Sequence, residues 1–381
     1  MNKIITFVLF LVFTLPTTFA ADIEKPLHFV AVSNFICDHI YETPNSFITD
    51  QNFKKGDTTL INAAQAKDLE SDISASKLPI LLTNPGGSAA NTAIGAKILG
   101  LDVGVIGTLT KDPQGNGYVS NLVKKGIEYR ITPPQEQERG SGTCWIFVTE
   151  TEKMASDGLV SKEKERTMLT SLGVSGDIRV SQENIDWAST ARILLIEGYL
   201  FSPPTTYESI CNIAKATKEN NNMVALTLSA EFCVTRNQHE ITKFIQEYAD
   251  IVIGNNNEVQ KLTDASNNYQ AVLRLKSMAK KGAVTCGPEG AYVFDAAGIY
   301  FISSPAVAQE AIIDTTGAGD QFAAGFLCEL LQSNNIIRAG QLGAYCAGDV
   351  IQVLGGHPSE ELARGVASGA PWEILHREIH E

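Results

Sequence analysis

After residue 21, short apolar runs alternate with longer amphipathic ones. That rhythm predicts an α/β fold, a central, mostly parallel sheet with helices on both faces. The strand candidates are continuous apolar runs, as expected when helices cover both sides of a sheet. One long polar segment, Tyr41 to Leu82, breaks the rhythm and reads as a small β lid.

Taken in order, the first strand is expected at His28–Ser33. The lid follows within 41–84, carrying Gly56 and Asp57, with further lid elements near 128–150. The α/β pattern resumes at Pro85-Gly86-Gly87 with a helix over Ser88–Leu99 and a strand over Val103–Gly107. Strands are then expected at Thr143–Thr149, Ile193–Glu197, Met223–Leu228, Ile251–Gly254, Ala283–Cys286 and Tyr292–Phe294. Between and after them, helices are expected over Tyr207–Asn220, Tyr269–Lys281, Ala318–Leu331 and Ile337–Leu354. The organisation is thus one domain over 28–358 and a C-terminal tail over 359–381, with no internal repeat.

The chain has 381 residues, 44% of them hydrophobic, enough for one large core. Thirty basic against 43 acidic side chains give a net charge of −13, with no dense basic stripe, which argues against a nucleic-acid partner. Residues 1–20 stand apart: Lys3, an apolar run from Ile4 to Leu15, then small residues up to Ala20. This is the layout of a secretory signal peptide, too short for a stable membrane span, and it predicts a periplasmic or secreted protein. An uncleaved anchor or a misassigned start is the other reading of the segment, and if it is not a functional signal the protein is expected to be cytoplasmic. The seven cysteines are scattered without a CxxC, unlike a disulfide framework, and Cys144, Cys286 and Cys346 read as buried side chains.

The most informative stretch is Asp314-Thr315-Thr316-Gly317-Ala318-Gly319-Asp320, followed by an alanine-rich apolar helix. Glycines 317 and 319 allow close approach of a ligand, and the helix start aims unpaired N–H groups and its positive dipole end at it. Asp320 inside that positive end is expected to stay ionised and to accept a proton from a hydroxyl. Taken alone, Gly-x-Gly before a helix can equally be a tight turn.

The whole heptapeptide with the phenylalanine after it resembles the second signature of the PfkB carbohydrate kinases, the ribokinase-like family that also contains adenosine kinases. Pro85-Gly86-Gly87-Ser88-Ala89-Ala90-Asn91 resembles that family's first glycine motif, and Asn34-Phe35-Ile36-Cys37-Asp38 its early sugar-binding segment, with Ser33 where the family usually has glycine. Asn255-Asn256-Asn257-Glu258 fits its Asn-x-x-Glu, and Thr285-Cys286-Gly287-Pro288-Glu289-Gly290 its nucleotide loop. The likeness runs from about Phe29 to about Pro358 with the motifs in the family's order, and Lys55-Gly56, Glu165-Arg166-Thr167-Met168 and Glu197-Gly198-Tyr199-Leu200 lean toward its adenosine-kinase-like bacterial branch.

The resemblance implies an ATP- and Mg²⁺-dependent phosphotransferase acting on a hydroxyl of a sugar or nucleoside. It makes Asp320 the base and Gly317, Ala318 and Gly319 the anion hole. Asn34, Asp38, Gly86, Gly87 and Asn91 would bind substrate, Asn91 through ring hydroxyls. Asn255, Thr285, Gly287, Gly290 and Thr315 would bind nucleotide, and Glu258 would face magnesium through water. By themselves, Asn255 and Glu258 equally fit a helix cap. Arg166 would add positive charge as the lid closes, or be a solvated arginine. A lid sheet with free edges suits a homodimer.

The alternative class is an exported, non-catalytic sugar- or nucleoside-binding protein descended from a kinase. Elsewhere, Trp145 and Trp187 read as core, and Glu163–Arg166 and Glu360–Arg364 as solvated faces. His376 and His380 read as part of a solvated tail rather than a metal site.

Overall fold

A computed structural model describes residues 27–56, 58–135, 139–154 and 160–379. The expected leader at 1–20 lies outside the described residues, as does His380. The strands, in chain order, are β1 (Phe29–Val32), β2 (Ile36–Glu42), β3 (Thr58–Leu60), β4 (Ile80–Gly86), β5 (Val103–Thr108), β6 (Glu128–Thr132), β7 (Gly142–Met154), β8 (Val160–Ser171), β9 (Ile193–Glu197), β10 (Met223–Thr227), β11 (Ile251–Asn255), β12 (Lys281–Thr285), β13 (Gly290–Phe294), β14 (Ile299–Ser303) and β15 (His376–Ile379).

The main sheet runs β15-β14-β13-β12-β11-β10-β9-β1-β5-β6. From β6 through β12 every neighbouring pair is parallel, and β13, β14 and β15 are added antiparallel. β1 shows why its strands read as continuous apolar runs: Phe29 and Ala31 face one core while Val30 and Val32 face the other, all four fully buried. Phe29, Val30 and Val32 each contribute roughly 1.5–3 kcal/mol through burial, and Ala31 less.

The helices, again in chain order, are α1 (Asn45–Asp50), α2 (Ala63–Ser76), α3 (Ser88–Ile98), α4 (Pro113–Lys124), α5 (Gln182–Ser189), α6 (Pro204–Glu219), α7 (Glu231–Glu247), α8 (Asn256–Thr263), α9 (Asn268–Met278), α10 (Ala318–Ser333), α11 (Ile336–Val350) and α12 (Leu362–Ala367). Helices α3, α4, α10 and α11 cover the first face, and α5 to α9 the second. No helix among the described residues is long and apolar enough to cross a membrane.

The lid is a five-stranded sheet in the order β3-β8-β7-β2-β4. Helices α1 and α2 pack Phe47, Ile48, Leu69 and Ile73 onto its outer face against Trp145, Phe147 and Leu169. Its inner face carries Ile36, Ile40, Cys144 and Ile146.

Several expectations change. The segment 128–132 is β6, the edge of the main sheet paired in parallel with β5, so only the later part of 128–150 belongs to the lid. Strand β8 pairs with β7 along its whole length and was not expected. The helix expected to reach Lys281 stops at Met278, because Ala279 is already extended and leads into β12. The helix expected to reach Leu354 stops at Val350, where the Ile351 carbonyl accepts the N–H groups of Ile313 and Asp314.

Residues 359–379 are no solvated tail. They form α12, a turn that stacks Trp372 under the Arg338 guanidinium at 3.7 Å, and β15 paired with β14. His376 is exposed on that edge strand. Trp145 is buried as expected, and Trp187 is half-buried beneath Arg130, whose guanidinium lies 4.5 Å from its ring. All seven cysteines are free, and Cys144, Cys286 and Cys346 are buried as expected.

Candidate active site

Helix α10 begins where the sequence motif requires. Gly317 is its N-cap at φ +77, and a Cβ there would lie 2.6 Å from the Gly356 Cα, so both backbone and space demand glycine. A Cβ on Gly319 would meet nothing within 4 Å, so this face of the first turn is open. Ahead of the helix, Asp314 organises the loop: its carboxylate accepts the N–H of Thr316 at 2.9 Å and that of Gly355 at 2.6 Å.

Asp320 sits in the first turn of α10. Its Oδ1 accepts the Ser88 hydroxyl at 2.7 Å, and its Oδ2 accepts the Asn91 amide at 3.0 Å. The Thr92 hydroxyl donates to its main-chain carbonyl at 3.1 Å. Burial pushes its carboxyl up to about 6, and these two side-chain donors pull the other way. The expected anion is retained at neutral pH, but with a raised affinity for a proton. One N–H of the Asn91 amide is used on Asp320, while its Oδ1 is buried without a partner.

Asn34 and Asp38 flank the start of the lid. The Asn34 N–H donates to Glu197 at 2.7 Å, while its side-chain Oδ1 is buried without a partner. Asp38 is pushed up to about 7, first by burial and then by the charge of Asp320, against the pull of Arg166. The two glycines of Pro85-Gly86-Gly87 make room for these residues. A Cβ on Gly86 would lie 2.2 Å from the Asp38 carboxylate, and one on Gly87 would lie 2.1 Å from the Asn34 carbonyl. Glu197 is fully buried and accepts from Asn34, Ser33 and Ala89. Burial raises it to about 7, against those three hydrogen bonds.

On the other side, Asn255 and Glu258 form a reciprocal capping box for α8. The Asn255 side chain accepts the Glu258 N–H at 2.9 Å, and Glu258 accepts the Asn255 N–H at 2.9 Å and its side-chain amide at 2.6 Å. Both residues still line the cleft, so cap and cleft wall are the same structure. Glu258 is raised to about 7 by burial. Its two oxygens are engaged inside the cap, which suits contact with a hydrated cation through water rather than direct ligation. No group of three or more His, Cys, Asp or Glu side chains is gathered to hold a metal among the described residues. Thr285 lines the cleft, whereas Gly290 owes its glycine to the sheet: a Cβ there would lie 2.1 Å from the Ile302 carbonyl of β14. Gly287 occupies an open turn at φ +58.

These elements enclose one cleft of about 1680 Å³. Of the sequence-derived candidates it gathers Asn34, Asp38, Gly87, Asn255, Glu258, Thr285, Thr315, Gly317, Ala318, Gly319 and Asp320. Gly86, Asn91, Gly287 and Gly290 are not part of its lining. Seven acidic side chains and two arginines line it among the described residues. Tyr199 and Phe232, with ring centroids 5.8 Å apart, form an aromatic ledge in the same wall.

The lid reaches this cleft through Arg166 of β8. It is no solvated arginine: it is ion-paired with the fully buried Asp314 carboxylate, and its Nη1 donates to the Thr316 hydroxyl at 2.8 Å. Glu165 beside it lies 3.5 Å from Lys55, and the Gly56 N–H donates to Thr167 at 3.1 Å. Sequence reasoning missed the pairing of Arg166 with Asp314, the bonds of Glu197 and the donor role of Ser88. It also missed His357, which hydrogen-bonds the Pro85 carbonyl at 2.9 Å. A charged residue closing an apolar strand, as Glu197 does, was the one local signal available.

A lidded α/β domain with a carboxylate inside a glycine-led helix start defines a phosphotransferase that acts on an alcohol. The chain belongs to the pfkB family of carbohydrate kinases, whose family model matches residues 56–362. It is 26% identical to the 5-dehydro-2-deoxygluconokinase of Listeria innocua over 274 residues, covering 70% of this chain and 80% of that one. It is 24% identical to the adenosine kinase of Saccharomyces cerevisiae, covering 88% and 98%. Among solved structures, a probable sugar kinase from Rhizobium etli CFN 42 superposes with a TM-score of 0.78 at 29% identity, over 91% of this chain and 99% of that one. The adenosine kinase of Sinorhizobium meliloti gives 0.76 at 28%, over 91% and 100%.

Proposed function

We propose that this protein transfers the γ-phosphate of ATP to a hydroxyl of a nucleoside of adenosine's shape. The observation that carries the reading is Asp320, held by Ser88 and Asn91 between the sugar-side segment and the first amides of α10. The acceptor hydroxyl gives its proton to the Asp320 carboxylate as its oxygen bonds to the γ-phosphorus and the bond to the ADP oxygen breaks. The N–H groups of Gly317, Ala318 and Gly319 stabilise charge on the transferring group, and Arg166 is close enough to the loop to join them. Glu258 would face the water shell of a magnesium ion bound with the nucleotide, which would supply neutralising charge to the phosphates. Lid closure excludes water.

A nucleoside is favoured over a bare sugar by the apolar part of the cleft. Tyr199 and Phe232 offer ring faces, and the lid adds Ile36, Cys144, Met168 and Leu172. A planar base buries that surface, whereas a small sugar leaves it wet.

The signal-like residues 1–20 support a second reading, an exported protein that binds a nucleoside or sugar without turnover. The test is ATP consumption with magnesium by protein lacking residues 1–20, against adenosine, other nucleosides and sugars. Turnover with adenosine supports the kinase, and turnover with sugars alone refutes the nucleoside. Tight binding without turnover of any acceptor favours the second reading. N-terminal sequencing of the mature protein tests export, with a new terminus at Ala21 expected.

A further inference from the structure

Asp320 is aimed by donors on α3, and α3 is itself held from behind. Its N-cap is Gly87, which has no side chain to satisfy the first-turn amides. Glu197, at the end of β9 and fully buried, does so from another element: its Oε2 accepts the Ala89 N–H at 2.8 Å. The carboxylate thus lies at the positive end of the α3 dipole.

The same carboxylate reaches the sugar-side segment. Oε1 accepts the Asn34 N–H at 2.7 Å, and Oε2 also accepts the Ser33 hydroxyl at 2.7 Å. Ser33 Oγ in turn accepts the Ala90 N–H at 3.2 Å, which ties β1 to α3 a second time. Three of the roughly four lone-pair sites on the carboxylate are therefore used within the protein. The turn of α3 that Glu197 grips carries Ser88 and Asn91, the two side-chain donors to Asp320.

We infer that Glu197 is a positioning residue for phosphoryl transfer: it locks Asn34 and the first turn of α3 in one register and, through Ser88 and Asn91, aims the Asp320 carboxylate at the acceptor hydroxyl. The inference rests on the kinase reading above. Ser33, where the family usually has glycine, supplies the arm of this lock that binds through a side chain.

The test is Glu197→Gln, which keeps size and removes charge. In folded protein, kcat should fall roughly tenfold to a hundredfold, the usual consequence of a misplaced reacting group, and the acceptor should bind more weakly. The KM for ATP should stay within about twofold, because Glu197 bonds to Ser33, Asn34 and Ala89 on the acceptor side and to none of the nucleotide-side residues. In the Glu197→Gln background, Ser88→Ala should cost much less than in wild type, because both act on one carboxylate. Unchanged kcat, or full additivity with Ser88→Ala, overturns the inference. If Glu197→Gln does not fold, Ser33→Ala carries the same readouts with a smaller fall.

If wild-type protein turns over no acceptor, the kinase reading fails and amide hydrogen exchange decides the inference alone. Glu197→Gln, or Ser33→Ala in its place, should speed exchange at 88–92 and at 318–321 and leave β10 unchanged. Unchanged exchange at 318–321 overturns it.

Discussion

Replacing Asp320 with asparagine separates what the carboxylate does for chemistry from what it costs the fold. Asparagine fits the existing bonds: its oxygen accepts from Asn91, and its amide donates to Ser88, whose hydroxyl turns to accept. Geometry and acceptor binding should therefore survive while the base is lost. Turnover should drop by two to four decades, the usual weight of general base catalysis.

The stability effect has the opposite sign. Burial raises the Asp320 carboxyl from 3.8 to about 6, and at about 1.4 kcal/mol per pKa unit the native state loses up to about 3 kcal/mol at neutral pH. Below pH 3.8 the group is protonated in both states and costs nothing, and between 3.8 and 6 the cost grows to its full value. Asp320→Asn should thus unfold at higher denaturant than wild type at pH 7.5, with the gap closing toward pH 4. Chemical denaturation at both pH values, beside the ATP-consumption assay, measures the two effects. Near-normal turnover, or a gap independent of pH, would refute the reasoning.

Other substitutions probe the remaining parts. Arg166→Met leaves the buried Asp314 carboxylate without its counter-charge and should destabilise the protein by about 3 kcal/mol, with a fall in kcat/KM of about a hundredfold; unchanged urea unfolding would contradict it. Gly319→Val has open space and should fold normally yet lose ATP binding, whereas Gly317→Ala meets the Gly356 backbone at positive φ and should lose about 2 kcal/mol. Calorimetric ATP titration and thermal unfolding of the pair distinguish these outcomes. His357, depressed to about 4 chiefly by burial, is neutral in the native state. The unfolded chain takes up its proton below about 6.5, so wild-type stability from this group is complete above 6.5 and falls as pH drops through 4. His357→Gln retains a donor for Pro85 and should flatten that acid limb in a urea series, and an unaltered limb would sink the argument.

The parts of the site that were legible in the sequence are local motifs. Gly317 to Asp320, Gly86-Gly87 and Asn255 to Glu258 are short contiguous stretches, recognisable through their resemblance to the family's signatures. The parts that were not legible join distant positions. Glu197 meets Asn34 across 163 residues, Arg166 meets Thr316 across 150, and His357 meets Pro85 across 272.

Strand β8 escaped because its start, Val160-Ser161-Lys162-Glu163-Lys164-Glu165-Arg166, is charged rather than apolar. Helix α2 was hidden in a polar segment, although Ala66, Leu69 and Ile73 are spaced for one helical face and Asn62 with Gln65 forms a capping box. The sequence reading places 128–132 among the lid elements, and only the pairing of β6 with β5 reveals an edge of the main sheet.

The acidic lining of the cleft bears on how fast ATP arrives. With Arg166 and Asp314 neutralising each other, six carboxyl side chains against one arginine among the described residues present an approaching polyanion with repulsion rather than attraction. Encounter is then slowed instead of steered, and mobile ions that screen the field lower the barrier. The association rate of ATP should rise with added salt, opposite to enzymes whose clefts are basic, and the protonation of Asp38 and Glu258 near pH 7 should ease entry further.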